Sequence, residues 1–220
     1  MNFSKENLFD RWAKKYDRDV FESDHKNEYP FAGYSKVLSF IWDRVNPKND
    51  AKILDLGVGT GVLSSMLYEA GSSITALDCS PNMLTAAKEK MPDATFIQWD
   101  FSNGLPERLL EQAGYYDYVI STYALHHLNE EKQIEILLSL ATLLKPQGTV
   151  FIGDISFEKR VNLETCRKHY QSLWDDEEFY IVAEEIINVL SHVYECTYDQ
   201  ISYCAGVFTL KPLLLPLKPS

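Results

Sequence analysis

Residues 52–61 read KILDLGVGTG, an apolar run that breaks into glycines at alternate positions, Gly57, Gly59 and Gly61. Ile53, Leu54 and Leu56 have the character of a buried strand, and the glycines that of a strand-to-helix turn. Glycine tolerates positive φ and carries no Cβ, so backbone amides in such a turn can lie directly against a ligand. The helix expected next, near 59–70, aims the positive end of its dipole into the same turn. A loop of this kind binds a nucleotide-like molecule, and the spacing narrows the choice. The dinucleotide fingerprint G-x-G-x-x-G requires glycine at position 62, where Val62 stands. The phosphate-binding loop of nucleotide triphosphatases requires Gly-Lys-Ser/Thr after its spacer, and that is absent.

What remains is D-x-G-x-G-x-G, with Asp55 two residues before the first glycine. In this the chain resembles the class I S-adenosylmethionine-dependent methyltransferases, whose first motif has this form. A second apolar run, SITALD (73–78), ends in Asp78, 17 residues after Gly61. An acid at the tip of a second strand can accept hydrogen bonds from both hydroxyls of a ribose. The simpler reading of Asp78 is a turn carboxylate, because Ser80 and Pro81 start a helix well. TFIQWDF (95–101) reads as a third strand ending in Asp100 and Phe101. The resemblance implies that Asp100 accepts from the adenine amino group while Phe101 packs on the ring. YYDYVISTYALHHL (115–128) resembles the family's fourth strand and the loop after it, so Ser121 to His127 would pass the methyl donor. LLKPQGTVFIGD (143–154) resembles the helix end, Pro-x-Gly turn and fifth strand that come next.

Bulk properties agree with one domain of this kind. The 220 residues suffice for a sizeable core. The formal charge is −11, and no Lys/Arg cluster occurs. A nucleic-acid acceptor normally meets a basic face, so that class is disfavoured. The Pro-Pro motif of amino-methylating nucleic-acid enzymes is replaced by Ser-Thr-Tyr-Ala after strand four, and the Pro-Cys dipeptide of cytosine-C5 enzymes is missing. The expected partner is therefore a small-molecule methyl acceptor, with a protein acceptor as the other possibility. The expected assembly is a monomer or homodimer. Cys79, Cys166, Cys196 and Cys204 are scattered without metal-ligand spacing, as expected of free thiols in a reducing cytosol. With neither a signal peptide nor an apolar stretch of ~18 residues, the expected location is cytoplasmic, away from the membrane.

Strand runs near 52–57, 73–78, 94–99, 116–121 and 148–154 alternate with helical patterns near 59–70, 81–90 and 130–144. Ile134, Leu137, Leu138 and Ala141 mark a stripe on the last of these. This order signifies an α/β fold, a doubly wound parallel sheet with helices on both faces. The resemblance implies seven strands, closed by an antiparallel last strand within 196–212, where two strands meet around Ala205–Gly206. The domain then divides into an N-terminal helical cap (1–46), a cofactor-binding core (50–155), a substrate-recognition insert (156–180) and a sheet-closing part (181–220).

In the cap, Leu8, Phe9, Trp12 and Tyr16 recur at helical spacing. The plain reading is a helix glued to the domain. The family's similar F-D-x-W/x-A-x-x-Y-D stretch implies that Tyr16 lines the donor pocket, with Arg11 a further candidate. In the insert, Lys159, Arg160, Arg167 and Lys168 mix with Tyr170, Trp174, Phe179 and Tyr180. Their plain reading is an amphipathic helix with solvated charges, and their functional reading is a border of the acceptor pocket. Both segments are candidate lids over the donor. If the acceptor carries a hydroxyl or ammonium, a base must take a proton, and His126 or His127 is the candidate. A structural histidine bonded to a backbone carbonyl is the alternative. The cofactor-binding candidates are Asp55, Gly57, Gly59, Gly61, Asp78, Asp100, Phe101, Ser121 and Tyr16. No metal site is expected. The implied cofactor is S-adenosyl-L-methionine, with S-adenosyl-L-homocysteine as product. A non-catalytic fold relative that binds either compound, and an NAD-dependent oxidoreductase, are the alternatives.

Overall fold

The computed structural model describes residues 16–45 and 50–213, with side chains in the first helix described from Val20 onward. The strands are β1 (Lys52–Leu56), β2 (Ser73–Asp78), β3 (Thr95–Gln98), β4 (Tyr116–Thr122), β5 (Leu144–Phe157), β6 (Ile181–Val182), β7 (Tyr194–Gln200) and β8 (Ala205–Pro212). The helices are α1 (Tyr16–His25), α2 (Tyr34–Val45), α3 (Val62–Glu69), α4 (Pro81–Lys90), α5 (Glu107–Leu110), α6 (Glu130–Leu140), α7 (Arg160–His169) and α8 (Ala183–Leu190).

The strands lie in the order β3-β2-β1-β4-β5-β8-β7, with β6 added beside β5. All pairings within the sheet are parallel except those of β8, which runs antiparallel to both β5 and β7. This is the expected doubly wound sheet with an antiparallel last strand, enlarged by the two-residue β6. Successive residues of the strands feed opposite faces. Ile53, Ile120 and Phe151 enter one core with Val37, Ile41, Leu63 and Leu67 from the helices. Leu54, Val119, Val150 and Ile152 enter the other with Ile136, Leu137, Leu140 and Ile186.

The strand order reverses at β1, which has β2 on one side and β4 on the other. In such sheets the crevice beyond the strand C-termini at the reversal is where ligands bind.

Three local departures have physical causes. α3 starts at Val62 rather than near 59, because Gly61 sits at φ 77° as its N-cap. β5 runs from Leu144, and the Pro-x-Gly segment is absorbed as a bulge: Tyr116 pairs with Leu144 while Tyr118 pairs with Thr149. On α6 the buried stripe is Gln133, Ile136, Leu137 and Leu140, whereas Ile134 and Leu138 are only partly buried. The helix is rotated so that Gln133 can make buried hydrogen bonds described below. Leu8, Phe9, Arg11 and Trp12 lie outside the described residues. Tyr16 opens α1, and its side chain is likewise outside them.

Candidate active site

The turn after β1 is anchored to β2, where the amides of Gly57 and Val58 both donate to the carbonyl of Leu77, at 2.8 and 2.9 Å. Gly57, Gly59 and Gly61 all have positive φ. The reasons for glycine differ along the turn. A Cβ on Gly57 would stand 2.4 Å from Cβ of Ala124, so the loop after β4 can close only over a bare backbone. A Cβ on Gly59 would meet nothing within 4 Å. Gly59 at φ 53° therefore presents its backbone to open space, in a conformation that L side chains rarely adopt.

That space is a cavity of about 310 Å³ at the reversal point. Asp55, Gly57, Gly59, Asp78, Asp100, Phe101, Thr122, Tyr123, Ala124, His126, His127 and Glu178 are among the residues lining it. The described residues that line it include no lysine or arginine. Most of the candidates chosen from sequence thus converge on one cavity.

Asp78 is 8% exposed. Its Oδ2 accepts from the amide of Gly59 at 2.8 Å and its Oδ1 from that of Ser80 at 2.9 Å. It therefore braces the glycine turn and serves the start of α4 as well as facing the cavity. Ser80 caps α4 by accepting from Met83, with Pro81 at the first helical position. Asp100 accepts from the amide of Ser102 at 2.8 Å and so orders the short 3-10 turn that carries Phe101.

Asp55 is 2% exposed, and its Oδ2 accepts from the Ser64 hydroxyl at 2.6 Å. Its Oδ1 is buried without a hydrogen-bond partner. Burial pushes its carboxyl up to about 7, the Ser64 hydrogen bond opposes that rise, and the charge of Asp78 adds to it. A carboxylate oxygen left unpaired at a cavity wall is a place for a ligand's cationic donor.

Gly61 is not among the residues lining the cavity, and a Cβ there would meet Met91 and Ala87 instead. Ser121 is the other exception among the described candidates. It is fully buried, and its hydroxyl donates to the carbonyl of Leu56 at 2.7 Å, tying β4 to β1. It is not among the cavity-lining residues, which on this loop begin at Thr122. Its position on the strand turns the side chain into the sheet interior, so the expected contact with a donor is corrected to a cross-strand tie.

Beyond β4 the chain bends through Tyr123, a non-glycine residue at φ 52°, into a 3-10 turn at Leu125–His127. Asp154 on β5, completely buried, holds this turn: its Oδ2 accepts from the amides of Leu125 and His126, and its Oδ1 from that of Ile155. Asp154 Oδ1 also lies 2.5 Å from Nδ1 of His126. A carboxylate only accepts, so Nδ1 carries the hydrogen, and in the neutral ring Nε2 is the basic nitrogen. His126 is 4% exposed and His127 more open, and both line the cavity.

The segment 156–180 contributes Glu178. Its Oε1 lies 3.7 Å from Nε2 of His126 and 3.8 Å from Nδ1 of His127. Its Oε2 accepts from the Tyr180 hydroxyl at 2.7 Å, which in turn accepts from Tyr29 at 2.5 Å. Burial and the neighbouring Glu178 carboxylate hold the Tyr180 hydroxyl protonated, far above its ordinary range. Main-chain bonds fasten this segment to the histidine turn. The amide of Phe179 donates to the carbonyl of His126 at 2.7 Å, and Gln133 Nε2 donates to the carbonyls of Phe179, Leu125 and Leu128. The basic residues of the insert do not join the cavity: Arg160 pairs with Glu185, and Arg167 with Asp176, on the surface. Trp174 and Tyr170 stack on Tyr29 and act as packing.

Asp154 and Glu178 were not among the sequence candidates. An acid inside the apolar run TVFIGDISF is a usable signal for the first. Glu178 sits in the acidic run DDEE, where nothing distinguishes it from its neighbours.

Comparison with known proteins agrees with this geometry. Residues 53–148 match the family model described as a methyltransferase domain. An uncharacterized methyltransferase of Oceanobacillus iheyensis is 29% identical over 214 residues, covering 94% of this chain and 96% of the relative. One from Bacillus cytotoxicus is 33% identical over 172 residues, covering 74% and 76%. Among solved structures, the complex of DhpI with S-adenosylhomocysteine superposes with a TM-score of 0.68 at 18% identity, covering 96% of both chains. Magnesium protoporphyrin IX methyltransferase from Synechocystis PCC 6803, with the same compound bound, gives 0.67 at 17% identity, covering 94% of this chain and 99% of that one. The described residues include no helix long and apolar enough to cross a membrane. The oxidoreductase alternative, already opposed by Val62, falls with these likenesses. This chain belongs to the class I S-adenosylmethionine-dependent methyltransferases.

Proposed function

We propose that the protein methylates a small-molecule acceptor within the cavity between the glycine turn and the histidine turn. The observation that carries this reading is that His126, held by the buried Asp154, lines the same cavity as the glycine turn. When bound, S-adenosylmethionine supplies a methyl group already activated on a sulfonium. The Gly57–Gly61 backbone gives the donor close approach, and Asp78 accepts from its ribose hydroxyls. Asp100 accepts from the adenine amino group while Phe101 packs on the ring. Asp55 Oδ1 receives the ammonium of the amino-acid end. His126 Nε2, with Nδ1 fixed by Asp154, takes the proton from a hydroxyl or ammonium acceptor. Orientation in such a site can supply roughly 7–11 kcal/mol of the barrier reduction, so no covalent intermediate on the enzyme is required.

The net charge of −11 and the cavity's carboxylates support an uncharged or cationic acceptor over a nucleic acid. The test is turnover with labelled donor against a panel of small phenols, amines and thiols, with RNA, DNA and protein extracts in parallel. Label in one small compound, lost in His126→Ala, is the expected outcome. Label only in macromolecules would overturn the small-acceptor reading.

A further inference from the structure

We propose that His126, His127 and Glu178 form a binding site for a divalent transition metal, zinc in the first instance, at the acceptor side of the cavity. The inference rests on the methyl-transfer reading only for what the ion would do there, and binding itself is independent of it. Nε2 of His126, Nδ1 of His127 and Oε1 of Glu178 belong to a group of ligand atoms all within 4.8 Å of one another. Ligands about 2.0–2.2 Å from a tetrahedral zinc stand roughly 3.3–3.6 Å apart. The 3.7 and 3.8 Å separations from Glu178 lie within a few tenths of an ångström of that spacing, and the two histidine nitrogens, within 4.8 Å of each other, close by up to about an ångström as the ion binds. The separations from Glu178 are also too long for hydrogen bonds, so the carboxylate oxygen lies between two rings without bonding to either.

The surroundings fit a held ligand set. Metal-bound histidines commonly give their other ring N–H to a carboxylate, which fixes the tautomer, and Asp154 does this for His126 at 2.5 Å. Tyr180 occupies the other oxygen of Glu178, leaving Oε1 directed at the histidines. The Phe179–His126 main-chain bond and the three bonds from Gln133 lock together the segments that carry the ligands. The side chains of Glu178 and His127 are 22% and 28% exposed, so an ion can enter from solvent. Two histidines and one carboxylate with an open fourth position make a donor set suited to zinc or iron(II) rather than magnesium or calcium. An acceptor hydroxyl or thiol taking that fourth position would lose its proton to water, and its anion would be held for attack. In this state His126 is a ligand and no longer the base.

The experiment uses the full chain, stripped with chelator and titrated with zinc chloride against a chromophoric competitor, and with cobalt(II) followed by its visible ligand-field bands. Wild type is expected to bind one equivalent of each. Glu178→Gln and His127→Ala should weaken zinc at least about a hundredfold and abolish the cobalt bands, with the circular dichroism spectrum retained as proof of folding. Absence of binding in wild type, or affinities within threefold across the folded variants, would overturn the proposal. Either result leaves donor binding, and with it the methyltransferase reading, separately measurable.

Discussion

Asp55 offers a test in which stability and ligand affinity are expected to move in opposite directions. Its carboxyl rises from an ordinary 3.8 to about 7 because it is buried. The folded protein thus holds this proton more tightly than the unfolded chain does. Between about pH 4 and pH 7 the unfolded state ionises first, so stability falls as pH rises through that window. Three pH units correspond to ~4 kcal/mol as an order of magnitude. A donor ammonium placed against Oδ1 favours the carboxylate, so binding should expel the proton. The affinity for S-adenosylhomocysteine should therefore tighten with pH by up to about tenfold per unit, ~1.4 kcal/mol, and level off near pH 7.

Asn at this position keeps the shape and can still accept from Ser64, but it has neither the proton nor the charge. In Asp55→Asn the pH dependence should vanish, and affinity at pH 7.5 should fall roughly ten- to a hundredfold or more, since a charged hydrogen bond contributes ~1.5–3 kcal/mol. The unliganded variant should melt no lower than wild type at pH 7.5, because the buried ionisation has been removed. Titration calorimetry from pH 5 to 7.5, in two buffers of different ionisation enthalpy, measures both affinity and proton release. A flat wild-type profile without proton release would refute the placement of the ammonium. A large loss of stability in the Asn variant would refute the desolvation argument.

Other consequences are more local. Gly59→Val should remove donor binding in a protein that still folds, at a backbone cost of ~1–2 kcal/mol, because its Cβ enters the open cavity; affinity within a few-fold of wild type by calorimetry would sink the assignment of the turn. Gly57→Ala should instead lower the melting temperature as well, since its Cβ would meet Ala124 at 2.4 Å. Asp78→Ala should weaken the product at least tenfold and also destabilise the turn, because the amides of Gly59 and Ser80 lose their acceptor; Asp78→Glu should lose less. Ser121→Ala should cost ~1 kcal/mol in denaturant melts and leave the affinity for S-adenosylhomocysteine unchanged. A tenfold affinity loss there would return Ser121 to the donor site.

What the sequence determined by itself is the part written in neighbouring residues. Alternating apolar runs and helical periods specify which segments are strands and which are the helices that cover the sheet. Positive φ in a tight turn favours glycine, so three glycines at alternate positions in KILDLGVGTG mark the loop. Asp78 is recognisable because it ends a strand, and Asp100 because it follows one closely. The tertiary structure alone decided how the histidine turn is equipped. His126 meets Asp154 from 28 residues away, and Glu178 arrives from a different segment, fastened by Gln133 and a single main-chain bond at Phe179. Ser121 and Thr122 are adjacent in sequence, yet one is sealed in the sheet and the other lines the cavity. Side chains alternate between faces along a strand, so a one-residue step exchanges interior for site. Such partnerships depend on strand register and on how distant loops close over one another, and neither leaves a mark in the local order of residues.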